Sequence, residues 1–141
     1  MRCIVFDHQK SWAAHTKPTK KRTGPAPEKL VQKAIQEAFR LRYRVALVHV
    51  DSGAAGMRRG QGAGQGGYSA TPAGFPDLVG VLPPSGRAVY VEVKAPGNRP
   101  TELQTRMLDA LRAKGAVAFY ADSVESAIQK FEEQALAERA S

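Results

Sequence analysis

The sequence predicts an α/β domain with the element order α-β-β-β-α-β-α, a mixed sheet flanked by helices. Three observations carry this. Apolar side chains recur every three to four positions over 28–42, the period of a helix lying on a core. Two apolar, β-rich runs, 78–82 and 88–95, flank Pro83-Pro84-Ser85-Gly86, the composition of a reversal between antiparallel strands. A strand, a helix and a strand then follow with short links up to residue 121, and such a unit closes as a right-handed crossover between parallel strands.

Ahead of the first helix, residues 1–26 are expected to form a mobile basic arm. The segment from Lys17 to Pro27 holds three prolines, a glycine and four charges, which leave no apolar face to fold on. The 141-residue chain carries a formal charge of +8 with a pI near 9.9, a balance that suits a phosphate backbone as partner. Residues 1–27 hold +5 of it, through Arg2, Lys10, Lys17, Lys20, Lys21 and Arg22 against Asp7, so the arm is the stronger electrostatic element. Lys20, Lys21 and Arg22 are its candidate nucleic-acid contacts. Residues 2–6 are apolar enough to add an edge strand, and Trp12 is expected to dock on its own domain rather than stack on a base.

Pro27 opens the first helix, where its missing N–H costs nothing. Leu30, Ala34, Ala38 and Leu41 are the expected inner stripe, widened by Val31, Ile35 and Phe39. Glu28 lies in the first turn, a favourable place for a carboxylate beside the helix dipole, and Gln32 shares its face one turn on. A strand is expected over 45–50, with His49 and Asp51 on one face. A metal-ligating or proton-relay role for that pair is weaker than a supporting or phosphate-contacting one, because imidazole is a poor ligand for Mg²⁺.

The stretch from Gly53 to Gly74 contains eight glycines with Arg58 and Arg59 among them. It lacks Gly-Lys-Ser/Thr, so no nucleotide cofactor is expected. Backbone N–H groups freed by glycine, with two arginines, suit a flap that grips phosphate; the alternative is an idle insertion.

Asp77 opens the run 78–82, and in 88–95 the only charged side chains, Glu92 and Lys94, share a face by the two-residue period of a strand. Val91, Val93 and Ala95 then point the other way, into a core. The hairpin pairing brings Asp77 and Glu92 together with the Lys94 ammonium beside them, and two hard oxygen ligands suit Mg²⁺ or Mn²⁺ working on phosphate. After Arg99, a further candidate nucleic-acid contact, Thr101 caps a helix with Met107, Leu108 and Leu111 as its apolar face, Leu103 near the start of that face and Gln104 in its first turn. Residues 116–121 read as a strand. Asp122-Ser123-Val124-Glu125 then resembles a capping box opening a last helix, with Val124, Ala127, Ile128 and Phe131 on one face and fraying expected from 134. The domain is accordingly placed at 27–133, with 134–141 as a tail.

Cys3 is the one cysteine, which excludes an intrachain disulfide and a thiolate zinc cluster and points to a reducing, cytoplasmic compartment. The apolar stretch before Asp7 is too short for a signal-peptide core, and no run approaches the ~18 apolar residues of a membrane span.

Asp77 with Glu92-Val93-Lys94 resembles the PD-(D/E)xK nuclease signature. The ordered set Glu28-x-x-x-Gln32, Gly74-Phe75-Pro76-Asp77, Glu92-Val93-Lys94 and Gln104, over roughly 28–122, resembles the VRR-NUC family of virus-type replication-repair nucleases. The resemblance implies a restriction-endonuclease-like core and a Mg²⁺- or Mn²⁺-dependent endonuclease acting on DNA. Asp77, Glu92 and the Val93 carbonyl would hold the metal, with Glu28 approaching it through water and Gln32 behind. Lys94 would place the attacking water or stabilise phosphate charge, and Gln104 would orient water or substrate. Branched DNA, such as a Holliday junction or flap, is the implied substrate in replication or repair, and a homodimer the implied assembly.

The competing reading is a non-catalytic DNA-binding module of the same fold in a viral replication or packaging complex. Two carboxylates would repel an anionic backbone unless a cation intervened, which favours catalysis. An RNA-directed nuclease lacks an aromatic platform in the sequence, although the basic arm suits RNA as well as DNA.

Overall fold

A computed structural model describes residues 27–51 and 71–136. The elements follow in the expected order: helix α1 (Pro27–Tyr43), strands β1 (Val48–His49), β2 (Leu78–Leu82) and β3 (Arg87–Val93), helix α2 (Glu102–Ala113), strand β4 (Val117–Ala121) and helix α3 (Val124–Leu136). The sheet runs β1-β2-β3-β4, antiparallel at its first two junctions and parallel at the last. Gly86, at φ 75°, donates to the Leu82 carbonyl at 2.9 Å and closes the β2–β3 reversal, which sets Val79 opposite Tyr90 and Val81 opposite Ala88.

One face of the sheet carries Leu78, Val89, Val91, Val93, Val117, Phe119 and Ala121 onto Ile35 and Phe39 of α1 and Ala127 and Phe131 of α3. The aromatic rings bind the two helices to each other, with centroids 5.0 Å apart for Phe39–Phe131 and 4.4 Å for Tyr43–Phe131. The Tyr43 hydroxyl donates to Glu132 Oε1 at 2.6 Å, and burial with that carboxylate pushes the phenol up to about 12. Helix α2 lies against β4, and the buried Leu108 and Ala118 pack outside the main cluster, on the side of the sheet that carries Tyr90 and Glu92.

Of the stripe expected on α1, the widening residues Val31, Ile35 and Phe39 face the core and its central row does not. Leu30 and Leu41 are 53% and 66% exposed, while the inward row, spaced by four, is the buried Ile35 and Phe39 flanked by the half-buried Val31 and Tyr43. That row ends in two aromatics able to reach Phe131, and it buries more apolar area than Leu30, Ala34, Ala38 and Leu41 would.

The segment 45–50 forms a shorter strand than expected. Val45 and Leu47 sink into the core, and residues 45–47 cross so close over Gly80 that a Cβ there would stand 2.9 Å from the Ala46 carbonyl oxygen. Crossing draws the segment out of the ladder, and only Val48 and His49 pair with β2.

Helix α3 outlasts its expected end at 133. Gln134 accepts from Ala118 N–H at 3.0 Å and donates to Ala118 O at 3.1 Å, which holds its last turn on β4. Its cap also differs: Ser123 Oγ accepts from Ser126 N–H at 3.1 Å, leaving Asp122 free to accept from Gly97 N–H at 3.0 Å. The arm 1–26, with residues 2–6, Trp12, Lys20, Lys21 and Arg22, lies outside the described residues, as do Arg58, Arg59 and residues 137–141. Among the described residues no helix is long and apolar enough to cross a membrane.

Candidate active site

Asp77 stands just ahead of β2 and is tied to a strand on each side. Its carbonyl accepts from Val50 N–H at 2.8 Å, and its Oδ2 accepts from Val93 N–H at 2.9 Å. The approach to it depends on Gly74, which adopts φ 79° and would, with a Cβ, press within 2.9 Å of Leu103 Cγ and 3.3 Å of the Leu103 backbone. Glycine there lets the run into Asp77 pass directly against the first turn of α2. Phe75 meets Tyr90 edge-on at 5.7 Å.

The strand alternation places Val91 and Val93 in the core and Glu92 on the opposite face, yet Glu92 is only 1% exposed. Ala95, expected inside, falls past the strand's end and is half-buried. Glu92 Oε1 receives two donors, Lys94 Nζ at 2.7 Å and Gln104 Nε2 at 2.6 Å. Its other oxygen, Oε2, is buried with no hydrogen-bond partner. Burial pushes the Glu92 carboxyl up and the Lys94 hydrogen bond pulls it down. The charge of Asp77 raises it again, opposed by the charge of Lys94, and Glu28 adds a smaller push, leaving it at about 7 against a usual 4.5.

Helix α2 supplies the Gln104 amide. Thr101 is its N-cap, with Oγ1 accepting from Gln104 N–H at 3.3 Å, and Gln104 Oε1 accepts from Thr101 N–H at 2.8 Å. This reciprocal box fixes the first turn. Lys94 is held from the other side, its N–H extending the parallel ladder to the Ala121 carbonyl at 2.9 Å.

Asp77, Glu92, Val93, Lys94 and Gln104 are thus gathered at one end of the sheet. Glu28 is exposed in the first turn of α1, close enough for its charge to act on Glu92 but without a hydrogen bond to it. Gln32 is half-buried and bonds to none of these groups, so the structure does not tie it to the others. His49 and Asp51 are exposed at the sheet edge, on either side of the Val50 N–H that holds Asp77, and neither bonds to the carboxylates. Arg99 is exposed in the link between β3 and α2. Among the described residues no group of three or more His, Cys, Asp or Glu converges as a metal cluster, so any cation here would depend on two or fewer carboxylates in direct contact, with backbone or water oxygens completing the set.

Several supporting residues were not foreseen. Gln36 Nε2 donates to the Leu47 carbonyl at 2.9 Å and ties α1 to the chain entering β1. Asp122 pins the turn that follows Lys94, through Gly97 N–H. The signal for Asp122 was its place directly after a parallel strand, where the end of the neighbouring strand lies within reach of its carboxylate.

The family model of the VRR-NUC domain matches residues 26–125. A search of curated proteins returns no match. Two solved structures share the fold: one described as a VRR_NUC domain, at 24% identity and a TM-score of 0.52, covering 77% of this chain and 95% of its own; and one described as a VRR_NUC domain protein, at 19% identity and a TM-score of 0.50, covering 79% and 92%. With the match spanning most of the chain, and with the helices and mixed sheet arranged as in those structures, this protein belongs to the VRR-NUC family of nuclease-type domains.

Proposed function

We propose that the protein is a divalent-metal-dependent endonuclease that hydrolyses phosphodiester bonds in DNA, with branched DNA as its substrate and a homodimer as its working form in the cytoplasm. The observation that carries this reading is the buried, unpartnered Glu92 Oε2. An orphaned carboxylate oxygen in a dry site is costly and needs an explanation. A hard cation supplies one, and the donor chemistry fits Mg²⁺ or Mn²⁺: Glu92 and Asp77 carboxylates with the Val93 carbonyl would hold it, and Glu28 would act on it across water. When bound, such an ion polarises the phosphoryl oxygen and lowers the pKa of water.

The chain's own groups do the rest. Lys94 sits 2.7 Å from Glu92 Oε1 with its side chain 15% exposed, so its ammonium is held at the edge of the site and can donate to the attacking water or to charge building on the phosphate. Asp77 is fixed by backbone on both sides, so its position does not depend on its rotamer alone. Arg99, and in sequence Arg58, Arg59, Lys20, Lys21 and Arg22, are the candidates for holding the DNA backbone.

The test is cleavage of single-stranded, duplex, flap and four-way-junction DNA by purified protein with Mg²⁺ or Mn²⁺, beside Glu92→Gln. Metal-dependent cutting lost in the variant supports the reading. Cutting by Glu92→Gln at the wild-type rate sinks it and leaves a DNA-binding module on a nuclease fold. Light scattering tests the dimer.

A further inference from the structure

A glutamine amide can sit in its place in two ways, related by a half-turn that exchanges oxygen and nitrogen. At Gln104 one of the two is selected by Thr101. The Thr101 N–H donates to Gln104 Oε1 at 2.8 Å, and Thr101 Oγ1 holds the Gln104 backbone N–H at 3.3 Å. With its oxygen engaged, the amide can present only Nε2 to Glu92, which it does at 2.6 Å. The opposite flip would set N–H against N–H at Thr101 and oxygen against carboxylate at Glu92. Lys94 is already on the same oxygen at 2.7 Å, so both donors converge on Oε1 and Oε2 is left without one.

We propose that Thr101 is a positioning residue of this site, acting through the Gln104 amide to saturate Glu92 Oε1 and reserve Oε2 for the cation. The inference rests on the divalent-metal reading above and adds a residue that lies one hydrogen bond outside it. It differs from ordinary helix capping in its consequence. A cap alone stabilises α2, whereas a positioning cap also decides which carboxylate oxygen is free.

Two variants separate these roles. Thr101→Ser keeps both bonds. Thr101→Pro removes the N–H and the hydroxyl together while suiting the local φ of −68°. The first measurement is the side-chain amide resonances of Gln104 in the metal-free protein by NMR. They should report a strong charge-assisted bond in wild type and Thr101→Ser, and move toward free-amide values in Thr101→Pro. The second is Mn²⁺ binding by calorimetry well below the melting temperature, with an expected weakening of about 10-fold in Thr101→Pro, the low end for losing an outer partner of a ligand, and none in Thr101→Ser.

Unchanged amide resonances in Thr101→Pro overturn the proposal, as does an altered amide with Mn²⁺ affinity equal to that of Thr101→Ser. A wild type that binds no Mn²⁺, yet whose amide responds to Thr101→Pro, refutes the metal reading and upholds the clamp, so the two failures are distinguishable. If Thr101→Pro does not melt cooperatively, Gln104→Leu, which removes the amide and leaves Lys94 alone on Oε1, takes its place in the calorimetry, and Mn²⁺ affinity equal to wild type there overturns the proposal.

Discussion

At Glu92 the two faces of β3 are equally dry and chemically opposite. Val89, Val91 and Val93 are fully buried against α1 and α3, and between them Glu92 is 1% exposed on the other side. Each valine contributes about 1.5–3 kcal/mol by leaving water. Glu92 gives up hydration for two donors on one oxygen and none on the other. One face is built for stability. The other holds a group at a loss, which is what a reactive or ligand-binding position requires.

Substitutions on the two faces should therefore fail in different ways. The largest effect is expected from Glu92→Gln and Asp77→Asn, which should lower nuclease activity and Mn²⁺ affinity together, activity by ~10³-fold or more if the cation supplies several kcal/mol. Melting temperatures should hold or rise. A variant that loses activity by unfolding instead would erase the distinction between the faces. On the opposite face, Phe39→Ala should cost about 3–5 kcal/mol of stability by opening a cavity among Ile35, Phe119 and Phe131, with Mn²⁺ affinity intact in whatever fraction stays folded. Urea titration and calorimetry on the same sample separate the two. Lys94→Ala sharpens the functional side alone: turnover should drop by ~10²- to 10³-fold while Mn²⁺ still binds, since the carboxylates remain.

A pH series tests whether Glu92 is held at a loss. Its folded value is raised from the usual 4.5 to about 7, so the stability it supports is complete below pH 4.5 and is lost as pH climbs through 7. In chelator-treated protein, wild type should lose stability across that interval relative to Glu92→Gln, by on the order of 2–3 kcal/mol. Parallel melting curves for the two proteins would contradict this. The smallest effect is expected where the chain turns out of α1. Arg44 adopts φ 57° where the chain leaves α1, and Arg44→Gly should add about 1 kcal/mol with no change in activity, read as a shift in urea midpoint.

The same contrast explains what could be read from the sequence. The element order, the hairpin and the parallel crossover were legible because periodicity and turn chemistry are local. The convergence of Asp77, Glu92, Lys94 and Gln104 was legible because strand alternation and a capped helix start place them with few choices. Less accessible were features decided by partners distant in sequence. The inner row of α1 depended on Phe131, 92 positions after Phe39, and two apolar rows were available to it. The short β1 depended on Gly80, whose missing side chain lets residues 45–47 cross over it. The burial of Glu92 could not be inferred from a charge on a strand face, since that face becomes dry only once α2 has docked. The last turn of α3 is held by polar side chains, Gln134 on the backbone of β4 and Arg87 on the Gln134 carbonyl, which no pattern of apolar residues signals.

Gly74 has a mechanical consequence. By allowing the main chain ahead of Asp77 to rest on Leu103, against its Cγ and its backbone, it sets the spacing between the two halves of the site. A methyl group at position 74 would act as a wedge, prising the first turn of α2, and with it the Gln104 amide, away from Asp77.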